Sequence, residues 1–127
     1  MYRPIFIAFI LIILASTKVL SQTDSARQEQ HRQEQQYSKE LNDNYSQIVS
    51  YLNKSKNKKA QSYCKLLSES QKHWDKYILN YCTLNAEPAK ETPRGSDYFY
   101  RDCKIEKTIQ RLNELNQQYA DIKAELE

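Results

Sequence analysis

Glycine is almost missing: the chain has one in 127 residues, and only three prolines, one of them at position 4. That scarcity leaves no glycine-rich loop to cradle a phosphate, no dinucleotide fingerprint and no nucleophile elbow. No stretch alternates apolar and polar residues as a half-buried strand does, so no sheet is expected. The two histidines, His31 and His73, lack a Cys, His or carboxylate at metal-ligand spacing, and a zinc site is not expected. No C-x-x-C pair suggests disulfide exchange. Cys64 and His73 on one helix would stand about 13 Å apart along its axis, out of reach as nucleophile and base. The chain therefore reads as a non-enzyme without a cofactor.

An apolar run long enough to span a membrane is also missing. Ile5 to Ala15 is the longest, at 11 residues, where a spanning helix takes roughly 20. Arg3 before this run, with Val19 and Ser21 as small residues after it, reads as an export signal over residues 1–21, cleaved before Gln22. No membrane span is expected after cleavage. The remaining part holds 17 basic and 16 acidic side chains, a net +1. Nearly neutral, and with no Arg/Lys cluster interleaved with aromatics, it is not expected to bind nucleic acid. Lys54 to Lys59 is the one basic patch and reads as a solvated turn. About 106 residues suffice for one small domain.

What is present is helical periodicity, organised around Leu66 to Cys82. This stretch holds the only tryptophan, and Leu67, Gln71, Trp74, Ile78 and Tyr81 recur at threes and fours, one face of a helix. A buried Trp removes about 150–250 Å² from water, so Trp74 is expected at the centre of the core, in a helix from Ala60 that ends at Cys82. Upstream, Leu41, Tyr45, Ile48 and Leu52 form a seam in Tyr37 to Leu52. Residues 22–36 are almost wholly polar. They are either a helical extension whose packing starts at Tyr37 or a mobile tail. Downstream, Ile105, Ile109, Leu112, Asn116, Tyr119, Ile122 or Lys123, and Leu126 form a third stripe, with Ser96 or Asp97 as its cap. Between them Thr83 to Asp97 carries Pro88, Pro93 and Gly95 and reads as a loop.

Export implies an oxidising compartment, where cysteines pair. Cys64 and Cys82 on one helix would lie about 27 Å apart, against a limit of about 7 Å for a bridge. Cys82 with Cys103 closes an easy loop of 20 intervening residues. Cys64 is left over, either as a buried small side chain or as a bridge to a second copy in a homodimer. The expected architecture is all-α: a small three-helix up-down-up bundle, residues 37–127, with a disulfide-stapled loop between helices 2 and 3. Among the ten tyrosines, Tyr45, Tyr77, Tyr81 and Tyr119 are expected in or beside the core. Tyr98, Phe99 and Tyr100 follow the loop directly and form a candidate partner-binding cluster.

Taken in order, Leu41-Asn42-x-x-Tyr45, Gln71-x-x-Trp74-x-x-Tyr77 with Cys82, Gly95-Ser96, and Cys103 with Thr108, Arg111 and Leu115 resemble the LprI-like family, named for a lysozyme inhibitor. The likeness covers residues 37 to 116. It implies a helical, disulfide-bonded domain of the bacterial envelope, periplasmic or extracellular, whose protein partner is a lysozyme. Three departures stand out. Ile78 replaces the usual Arg after the tyrosine, the amino-terminal cysteines are missing, and Gln22 stands where a lipid-anchored relative has Cys. Two functions remain: an inhibitor whose stapled loop covers a peptidoglycan-cleaving enzyme, or a structural and interaction module of the envelope.

Overall fold

The computed structural model describes residues 4–127, with side-chain detail from Thr23 onward. The expected signal, residues 1–21, lies outside the residues whose side chains are described. The described residues form three helices, α1 (Pro4–Lys54), α2 (Lys58–Ala86) and α3 (Gly95–Leu126), and one 3-10 turn at Glu87–Ala89. Among the described residues there is no strand. Asn57 starts α2 by accepting the Lys59 backbone N–H on its side chain at 3.0 Å, which satisfies a donor that has no partner inside the helix.

Long-range contacts give the directions of the helices. Gln30 and Asn44 of α1 reach the Tyr98 carbonyl and Asn116 of α3, so these two helices run parallel. Lys59 and Tyr63, early in α2, bond Glu125 near the end of α3, so that pair is antiparallel. The bundle is up-down-up with α3 packed on both other helices, as the periodicity led one to expect.

Leu41, Ile48 and Leu52 of α1, Ala60 and Leu67 of α2, and Leu115 of α3 form the core. Toward the stapled end Ile78, Cys82, Ala86, Ala89 and Ile105 are also buried. Trp74 is half-buried against the core and does not sit at its centre. Tyr77 and Tyr81 are exposed, contrary to the expectation that they pack at the core edge. The reason is the small residues: Ala60, Cys82 and Ala86 are 0–3% exposed and let neighbouring helices approach α2 along their own line, leaving the aromatics outside it.

Other boundaries shift as well. α2 runs one turn past Cys82 to Ala86. The N-cap of α3 is Arg94, not Ser96 or Asp97. Packing begins well before Tyr37, because Gln30 is buried and residues 23–36 continue α1 as helix.

The Lys59–Glu125 pair, at 2.7 Å, also tests the register of α2 against α3. Hydrogen bonds from Lys59 and then from Tyr63 hold the Glu125 carboxyl below the ordinary glutamate range. The stabilisation from this depressed value is present above the unfolded-state pKa and is lost as pH falls through the folded one. Carbon-detected NMR titration should find Glu125 as a low-titrating carboxyl, and Lys59→Ala should move it back up. A Glu125 that titrates normally would contradict this register.

Candidate functional site

Two surfaces gather the residues picked out from the sequence. The first is a groove of about 470 Å³ between α1 and α2, floored by α3. Ser38, Leu41, Asn42 and Tyr45 of α1 and Ser68, Gln71, Lys72 and Asp75 of α2 share the spacing i, i+3, i+4, i+7, which puts each set on one helix face. Trp74 joins them from α2, and Lys104 and Thr108 rise from α3. Six residues of the sequence motif (Leu41, Asn42, Tyr45, Gln71, Trp74 and Thr108) thus meet around one concavity.

Two further motif residues act from beneath. Leu115 is fully buried in the core. Arg111 is 5% exposed, and its guanidinium donates to Ser70 at 2.9 Å, Gln71 at 3.3 Å and Glu114 at 3.2 Å. Gln71 in turn donates to Asp75 at 3.1 Å. A buried charge is tolerated only when its donors are satisfied, and satisfying this one orients Gln71 and Asp75 at the groove wall. The last motif residue, Tyr77, is exposed and stacks at 5.3 Å on Tyr81, outside the groove.

Ser38, Ser68, Lys72, Asp75 and Lys104 escaped the sequence reading. Four of the five lie one turn from a motif residue on the same helix face, and that register was the available signal. Among the described residues, no group of three His, Cys, Asp or Glu side chains could hold a metal ion.

The second surface is the stapled turn. Cys82 and Cys103 are disulfide-bonded, with Cα atoms 5.6 Å apart. The chain between them is not the open loop expected from its prolines. Lys90, Thr92 and Gly95 each donate a backbone N–H to the carbonyl three residues earlier, and the Thr92 hydroxyl bonds the Ala89 carbonyl at 2.7 Å. Gly95 takes φ +72° where the turn enters α3, a conformation that suits glycine because it lacks a Cβ.

The aromatic cluster begins one turn into α3. Tyr98 and Tyr100 are half-buried and Phe99 is exposed. Arg94 lies over the Tyr98 ring, which meets Phe99 edge-on at 5.5 Å. Gln30 donates to the Tyr98 carbonyl at 2.9 Å. Glu34 accepts from Lys104 at 2.8 Å and lies 3.5 Å from Arg101. The polar segment before Tyr37 therefore braces this end of the molecule. Cys64 is unpaired and half-buried, its thiol 3.7 Å from the Asn53 side-chain oxygen.

A family model described as lysozyme inhibitor LprI matches residues 17–115. The match takes in the braced segment around Gln30 and Glu34, both helix faces of the groove and the whole stapled turn. No curated protein and no solved structure matches the chain.

Proposed function

We propose that this chain, which belongs to the lysozyme inhibitor LprI family, is an exported envelope protein that inhibits a lysozyme by direct contact. The contact surface is the stapled turn with Tyr98, Phe99 and Tyr100. No bond is made or broken in such a mechanism; the inhibitor only has to cover the enzyme's cleft. Binding energy is wasted if a loop must first be ordered, so an inhibitory protrusion is best rigid beforehand. The observation that carries this reading is that rigidity: a disulfide, three turn hydrogen bonds and the Gln30 contact fix the turn before any partner arrives.

Phe99, 39% exposed beside two half-buried tyrosines, is the apolar anchor, because aromatic side chains dominate interface energetics. Glu91 and Asp102 have no ion-pair partner among the described residues and offer acceptors to a basic enzyme surface. The near-neutral whole supplies little long-range steering. Localisation to the periplasm or the outside rests on the signal-like first 21 residues.

Phe99→Ala should weaken inhibition about tenfold or more while leaving the thermal melt almost unchanged. Unchanged inhibition would place the contact elsewhere. Tyr98→Ala with Tyr100→Ala is the poorer test, because both rings are half-buried and their loss also costs stability.

One observation favours the second reading, an interaction module that packs through a helix face. Leu66, Tyr77 and Leu84 are 58%, 54% and 73% exposed, and spacings of 11 and 7 put them on one line along α2. Loss of envelope-partner capture in Leu66→Ser with Leu84→Ser, from a protein that leaves lysozyme at full rate, would favour that reading.

A further inference from the structure

The groove between α1 and α2 lies apart from the inhibitory surface proposed above, and its chemistry is that of a ligand site. Trp74 and Tyr45 give it two half-buried aromatic rings from opposite walls. Among the described residues the Trp74 indole N–H, the Tyr45 hydroxyl, the Asn42 amide and the Lys72 ammonium have no hydrogen-bond partner. The acceptor in the wall, Asp75, is set by Gln71, which the buried Arg111 holds.

Charge narrows the ligand class. Lys104 is paired with Glu34 at 2.8 Å, and Lys72 and Asp75, which form no ion pair with each other, contribute one charge of each sign to the lining. No net charge is left to recruit a phosphate or another ion. What remains are two half-buried aromatic rings bordered by both donors and acceptors. A peptide would present an irregular surface with its own charges. A pyranose with equatorial substituents presents a flat face of C–H groups and a rim of hydroxyls that both donate and accept. The volume, about 470 Å³, falls in the range of small-molecule sites, roughly 300–1,000 Å³.

We propose that this groove is a saccharide site that takes a neutral pyranose. The sugar face stacks on Trp74, Asn42 and Lys72 donate to its hydroxyl or acetamido oxygens, and Asp75 accepts from its hydroxyls. The assignment does not depend on lysozyme inhibition, and its test involves no enzyme.

Trp74 is the only tryptophan, so its fluorescence reports on the groove alone. The oxidised protein is titrated with tri-N-acetylchitotriose and with cellotriose, and calorimetry follows the same additions. A saturable change with either sugar is the expected result. A preference for the chitotriose identifies acetamido sugars as the source, and a preference for cellotriose identifies plain glucans. Asn42→Ala with Lys72→Ala, both at exposed positions, should weaken binding about tenfold or more with an unchanged melt. No saturable response to either sugar would overturn the proposal. Undiminished affinity in the double variant would overturn it too, since the sugar would then bind elsewhere.

Discussion

Leu115→Ala is expected to lower the unfolding free energy by about 3–5 kcal/mol, near the upper end for a buried leucine. Leu115 is 0% exposed and sits where α3 meets Leu41, Ile48 and Leu52 of α1 and Ala60 and Leu67 of α2. Two helices converge on it, and neither can move in without pulling away from the other. The space left by three deleted carbons therefore stays largely open, and cavity cost adds to lost transfer free energy. Small domains are stable by about 5–15 kcal/mol in total, so this one change removes a large share. At roughly 4–8 °C per kcal/mol for a domain of this size, the melting point should fall by more than 10 °C. Leu66→Ala, at a residue 58% exposed, should stay within about 0.5 kcal/mol. Equal losses at the two positions would contradict the assigned core.

The second large effect is expected from Cys82→Ala with Cys103→Ala. The bridge spans a sequence separation of 21, and closing a loop of that length restricts the unfolded chain by about 3 kcal/mol. Cys82 is also fully buried, and alanine keeps that position apolar, so most of the loss reflects the missing constraint. Denaturant unfolding of the oxidised and double-alanine proteins measures it. Because the turn also has its own hydrogen bonds and the Gln30 brace, secondary structure should survive, and far-UV circular dichroism should change little. A loss below about 1 kcal/mol would mean that the bridge adds little to the contacts already holding the turn.

Much of this bundle can be read directly from the chain, because each helix repeats its apolar residues at threes and fours. Leu41, Ile48 and Leu52 stand out this way, and the Cys82–Cys103 pair is legible as well, because helix length excludes Cys64–Cys82 and the loop from 82 to 103 closes easily. Trp74 lies less deep than expected because the expectation rests on the area a tryptophan can bury, whereas the small residues beside it set how the helices approach. The buried line of α2 keeps the expected Leu67 and Ile78 but passes through Ala60, Cys82 and Ala86 rather than Trp74 and Tyr81. Gln30 and Glu34 were hidden for a different reason: their partners Tyr98, Arg101 and Lys104 lie more than 60 residues away, beyond any local pattern.

α3 carries two buried faces, and a single stripe captured only one of them. Thr108 and Arg111 face the groove and α2, and they were singled out only through the family resemblance. The groove itself was not legible. It forms where faces of three helices meet, and no single segment encodes it.

Whether the stapled turn inhibits a lysozyme is decided by a clearing assay. Lysozymes of several types act on cell walls with the oxidised protein present, with the disulfide reduced, and with Phe99→Ala. Expected are inhibition by the oxidised protein, clear weakening on reduction, and inhibition about tenfold weaker or more in the Phe99 variant. A folded, oxidised protein that leaves every lysozyme at full rate would contradict this function.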